Sequence, residues 1–182
     1  MSGSSSQNED LINRIARAFR HVERPQITLR VARAVDDHQW DDLPKRRSLD
    51  GHYRDWTQIP EEDMAKFKDV WLWLCPIGVR FYLPAYMTDS LRSSRRLIDE
   101  VWMLFAFGGE SFNETSITVL DGPQKRVLYE FFISAFECVK DDYTRDWWNH
   151  PWDPAWDVDM EKQHVWDTFG RAFTFLRNQA AQ

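Results

Sequence analysis

A chain of 182 residues with 43% apolar and 29% charged side chains is sized for one domain around one core. Its net charge of −6 and pI of about 5.4 argue against binding to nucleic acid or to an anionic membrane surface, both of which call for clustered Lys and Arg. No apolar run approaches the roughly 18 residues of a membrane span. Cys75 and Cys138 sit far apart in apolar segments and make neither a disulfide framework nor a CxxC site, so the expected setting is the cytoplasm, with both thiols reduced.

Residues 1–8 are small and polar and are expected to form a disordered tail, leaving 9–182 as a single helical domain. From Asp10 to about Val22 the recurrence of Leu11, Ile15 and Phe19 predicts a helix that Pro25 ends. A second helix follows over "ITLRVARAVDDH", with Thr28 as cap and Ile27, Val31 and Val35 on one face. Asp36 and Asp37 then place negative charge at its C-terminus, which the helix dipole disfavours. Residues 39–58 read as a long loop with short turns, anchored by Trp40, Tyr53 and Trp56.

The next helix is announced by Pro60 and by Glu61, Glu62 and Asp63 at its positive end. Met64, Phe67, Trp71 and Leu74 give it a buried face, and Cys75-Pro76 stops it. Arg80, Phe81 and Tyr82 are then expected to cross the domain in extended form. A further helix restarts at Pro84 or Thr88 and ends at Gly108-Gly109, and residues 116–120 allow at most a minor strand. "LDGPQKRVLYEFFISAFECVKDD" carries N-terminal helix signals, with Asp121 as cap and Val127, Leu128, Phe131 and Phe132 inward. A Trp- and Pro-rich link precedes the last helix, whose inward residues are Val165, Phe169, Phe173 and Leu176. The predicted fold is therefore all-α, a single-domain multi-helix bundle of about six helices.

Three groups of residues carry candidate chemistry. Asp157, Glu161 and His164 are ligand types at helical spacing, and Glu161 with His164 makes the Glu-x-x-His pair of di-iron bundles. A second such pair is missing, so a solvated acidic stripe is the plainer account. Trp148, Trp152 and Trp156 lie among aspartates; core packing comes first for them, a binding interface second. His52 sits between Asp50 and Asp55 in a turn. No Gly-x-Ser-x-Gly elbow and no phosphate-binding glycine loop is present, and no cofactor is expected.

The decapeptide "GVRFYLPAYM", Gly78 to Met87, and Trp56, Ile59 and Pro60 upstream of it, resemble a family of small bacterial proteins of unknown function. Those proteins carry a Trp-x-x-Ile-Pro element followed by Gly-x-Arg-Phe-Tyr-Leu-Pro-Ala-Tyr-Met. The resemblance implies a shared scaffold and no particular reaction. Read physically, the stretch is mostly a buried joint, with Arg80, Tyr82 and Tyr86 as its candidate exposed parts and Asp36 or Asp37 as the acid that pairs with Arg80.

An acidic, Trp-rich domain without a catalytic signature fits a protein-binding module, acting by stoichiometric contact with a basic partner, in the manner of an immunity or antitoxin protein. The alternative is a small-ligand or metal-dependent enzyme with its site near Arg80, Tyr82, Asp36 and His52, or at Glu161 and His164.

Overall fold

The computed structural model describes residues 3–49, 53–67, 70, 73–93, 116–142, 174 and 177–178. Among these residues the fold is all-α, with no strand. In chain order the helices are α1 (Gly3–Ala18), α2 (Leu29–Asp36), α3 (Leu43–Leu49), α4 (Glu61–Lys66), α5 (Pro76–Ser93) and α6 (Gly122–Asp142). Single 3₁₀ turns at Trp40–Asp42 and Trp56–Gln58 lie between them. No described helix is long and apolar enough to cross a membrane.

The centre of the fold is α5. Twelve of its 18 residues are buried, on all sides of the helix, which is the pattern of a core helix and not of an amphipathic surface one. Phe81, Leu83 and Met87 are fully enclosed. The expectation of an extended crossing is thus corrected. Pro76 opens the helix instead of stopping one, and Pro84 lies inside it instead of restarting it. A proline within a helix removes one backbone hydrogen bond and costs about 3 kcal/mol in an isolated helix. Here Pro84 itself is buried among packed neighbours, so burial offsets the missing bond. Gly78 fits the same dense packing, since a Cβ there would meet Leu74 at 3.4 Å and the carbonyl of Ile27 at 3.5 Å.

Helix α1 packs on both α5 and α6. Leu11, Ile12, Ile15 and Phe19 supply the inward face of α1, and Val127, Leu128, Phe131 and Phe132 that of α6. The first of these helices starts at Gly3, inside the stretch expected to be a disordered tail, and Asn8 Nδ2 donates to the Leu91 carbonyl at 3.1 Å. Arg14 pairs across to Glu130. A helix leaves its last carbonyls without internal partners. At the end of α1, the Trp56 indole N–H donates to the Phe19 carbonyl at 3.0 Å and Gln124 Nε2 donates to the Ala18 carbonyl at 3.1 Å. The end of α4 is met likewise, by the Tyr86 hydroxyl lying 3.1 Å from the Met64 carbonyl and 3.2 Å from that of Phe67.

Other boundaries shift for local reasons. Pro60 caps α4 instead of occupying its first turn, and the helix ends at Lys66, well short of Cys75. Met64, Phe67 and Leu74 are buried as the apolar spacing predicts; Trp71 is outside the described residues. The segment 39–58, expected to be loop, is in large part helical, through α3 and the two 3₁₀ turns. Residues 116–118 are helical and not extended. The Thr28 cap of α2 is present, its Oγ1 accepting from the Val31 N–H at 3.3 Å. So is the cap of α6: Asp121 Oδ1 accepts from the Gln124 N–H at 2.9 Å, and Gln124 Oε1 accepts from the Asp121 N–H at 3.2 Å, a reciprocal capping box.

Candidate functional site

Arg80 does not pair with Asp36 or Asp37. Its Nε donates to Gln124 Oε1 at 2.9 Å and its Nη2 lies 3.4 Å from Asp121 Oδ2. The stretch expected to swing towards α2 is helical, and that carries the guanidinium to the N-terminus of α6 instead. Gln124, 2% exposed, is consequently a three-way junction joining the end of α1, the second turn of α5 and the start of α6. Tyr82 and Tyr86 are 2% and 3% exposed, so neither is a surface residue. The decapeptide is a buried structural joint.

Among the described residues the buried acid is Asp63, at the positive end of α4 and 6% exposed. One nitrogen of Arg30, Nη2, donates to both of its oxygens, at 3.0 and 3.2 Å, and the Tyr53 hydroxyl donates to Oδ2. The Arg30 guanidinium lies 5.4 Å from the centre of the Phe67 ring, and Lys66 Nζ 5.5 Å from the same ring. Burial, followed by the hydrogen bond to Asp63 and the charge of that carboxylate, pushes the Tyr53 hydroxyl up to about 12, with Arg30 opposing. A phenol held neutral in this way donates a hydrogen bond and is no base. The cluster clips residues 53–58 to α2 and α4.

Asp36 and Asp37 belong to a different part of the molecule, where α2 ends and α3 begins. Asp36 pairs with Arg33 at 3.2 Å within its own helix, and Asp37 is exposed. The helix finishes in a Schellman turn: the His38 N–H donates to the Val35 carbonyl at 3.1 Å and the Gln39 N–H to the Ala34 carbonyl at 2.7 Å. That turn needs a left-handed residue, usually glycine. Here it is His38, with φ of 57°, the single non-glycine residue of positive φ among the described residues. Its Nδ1 lies 2.9 Å from the Asp36 carbonyl oxygen, and its ring meets the Trp40 indole edge-on at 6.5 Å.

Trp40, expected to anchor the loop, is 56% exposed, the most exposed of the large hydrophobic residues among those described; Trp56 is the buried anchor, and Tyr53 is half-buried. Helix α3 packs on α2, yet none of its described side chains is buried. The lobe formed by residues 36–48 thus presents an exposed indole flanked in sequence by Asp37 and Asp41, with Lys45 and Arg47 exposed further along, in α3. Two signals for this lobe were present in the sequence: acids at a helix C-terminus, and no glycine where the turn after α2 calls for one.

The remaining candidates, His52, Trp148, Trp152, Trp156, Asp157, Glu161 and His164, lie outside the described residues. Among the described residues no group of three or more His, Cys, Asp or Glu is arranged to hold a metal ion.

Comparison with known families gives one match. The model of a family of unknown function, DUF6714, covers residues 7–151. The chain belongs to the DUF6714 family. Its match takes in α1 from residue 7 onward, α2 to α6, the Arg80–Gln124 junction and the lobe around Trp40. No curated protein and no solved structure matches the chain.

Proposed function

We propose that the protein is a cytoplasmic binding module that acts by stoichiometric contact with a basic protein partner, in the manner of an immunity or antitoxin protein, and that the lobe of residues 36–48 makes the contact. One observation carries this. Within five residues, Asp36 to Trp40, the chain makes three locally unfavourable choices: carboxylates at the negative end of α2, a histidine where glycine would be unstrained, and an indole left in water. Local strain of this kind gathers where a surface is shaped for a task and not for stability. An exposed tryptophan with flanking carboxylates suits a partner that offers lysine or arginine, by ring stacking and by charge steering.

The test is affinity capture from a lysate of the source organism at low salt, comparing wild type with Trp40→Ala. The expected result is a basic protein retained in equimolar amount by wild type, released by salt, and lost from the variant while its circular dichroism is unchanged. Equal retention by both proteins would overturn the assignment of the lobe.

A further inference from the structure

The lobe has a second property that its acids alone do not convey: its charge pattern is complementary to itself. The sequence Asp41-Asp42-Leu43-Pro44-Lys45-Arg46-Arg47 is acidic before Pro44 and basic after it. The 3₁₀ turn at Trp40–Asp42 runs directly into α3, so residues 40–49 form one continuous helical stretch. Asp41, Pro44 and Arg47 recur at intervals of three and Trp40, Pro44 and Arg47 at four and three, so these four residues share one side of the stretch. All four are exposed, as is Lys45.

We propose that this side of α3 docks a second copy of the chain, the two stretches lying antiparallel about a two-fold axis at Pro44. The proposal rests on the lobe being a docking surface, and it names an occupant for that surface when the protein is alone. A two-fold axis pairs each position with its mirror across the axis. Asp41 and Arg47 are equidistant from Pro44, so each Asp41 faces the partner copy's basic end, and each indole reaches across the apolar centre formed by Leu43 and Pro44. Antiparallel helices also set opposite dipole ends side by side. The dipole of α3 by itself favours acids first and bases last, which accounts for the signs of the charges. It does not account for an exposed indole, nor for a seven-residue helix with no buried side chain among those described, since helices this short are marginal in water. A patch of this size belongs with weak, reversible interfaces. A basic partner would use the same indole and the same acids, so self-association and partner capture exclude each other.

The experiment is sedimentation velocity of the full chain at about 0.01 M and about 1 M salt, between which the screening length falls from about 30 Å to about 3 Å. A dimer at low salt that dissociates at high salt is expected. Asp41→Lys and Arg47→Glu should each raise the dimer dissociation constant about tenfold or more, because each sets like charges opposite one another twice. An equimolar mixture of the two variants should restore the dimer, because both oppositions then become attractions. A wild-type monomer at both salt concentrations, a dimer that survives either variant, or a mixture that stays monomeric would each overturn the proposal. A monomer that still captures a basic protein through Trp40 overturns this inference alone. A salt-sensitive dimer that captures nothing supports it and overturns the foreign-partner reading.

Discussion

Gln124→Met keeps the volume of a buried side chain and deletes its amide. In the structure that amide donates to the Ala18 carbonyl at 3.1 Å and accepts from Arg80 Nε at 2.9 Å and from the Asp121 N–H at 3.2 Å. A neutral hydrogen bond contributes about 0.5–1.5 kcal/mol net, and one to a charged group about 1.5–3 kcal/mol. Two neutral bonds and one charged bond amount to about 2.5–6 kcal/mol. Arg80 is partly exposed and recovers water, which moves the expectation to the lower half of that range, about 2.5–4 kcal/mol. In a chain of this length that corresponds to a fall in Tm of roughly 5–15 °C. Urea unfolding at pH 7 measures it, with an unchanged m-value showing that the native state has kept its compactness. Adding Arg80→Met to Gln124→Met should cost less than the sum of the two single changes, since both remove the same bond. A loss under about 1 kcal/mol, or strict additivity, would refute the view of Gln124 as the junction of α1, α5 and α6.

His38→Gly should raise stability by about 0.5–1 kcal/mol in urea unfolding, because left-handed strain of about 1–2 kcal/mol outweighs the extra freedom of an unfolded glycine; the same variant should bind the partner less well, and a destabilised variant would remove strain as a feature of the lobe. Tyr53→Phe should lower stability at pH 8 by about 1–3 kcal/mol. The Tyr53 hydroxyl sits at about 12 when folded against a usual 10.0, so its contribution is complete below pH 10.0 and fades as pH climbs towards 12. The gap between wild type and Tyr53→Phe should therefore narrow over that window, and a constant gap would contradict the clip to Asp63. The Asp89 carboxyl is raised by burial and by Glu61, with Arg92 opposing, so its ionisation works against the fold once pH passes its raised value. Asp89→Asn should give a small rise in Tm at pH 7 that disappears in acid below the usual carboxylate value; a fall at pH 7 would contradict this.

Where a signal is local, the sequence announces the element. Thr28 and the Asp121–Gln124 box cap the helices that follow them, and the apolar spacing in α1 and α6 marks the faces that are buried. Such signals act over a single turn of chain. The helix α5 defeats local reasoning, since Pro76, Gly78 and Pro84 each argue for a break and only burial on every side overrides them. Arg80 is misassigned for the same reason: its partner depends on whether residues 80–82 are extended or helical. In 39–58 the acids before Pro44 and the bases after it suit a helix dipole, but the stretch is polar throughout and hides its helix behind a loop-like composition. Trp40 is the hardest case. Trp56 is buried with its indole N–H on the end of α1, whereas Trp40 follows the turn at His38 and stays exposed.

Neither of the two side chains that finish α1 comes from anywhere near it: Trp56 and Gln124 reach it from far along the polypeptide. During synthesis the first of these caps can form once Trp56 has emerged, but the second must wait for Gln124, 106 residues beyond Ala18. The last turn of α1 should finish closing in the same step as the docking of α6, so nascent chains halted before residue 124 should show fast amide exchange there and chains released beyond it slow exchange.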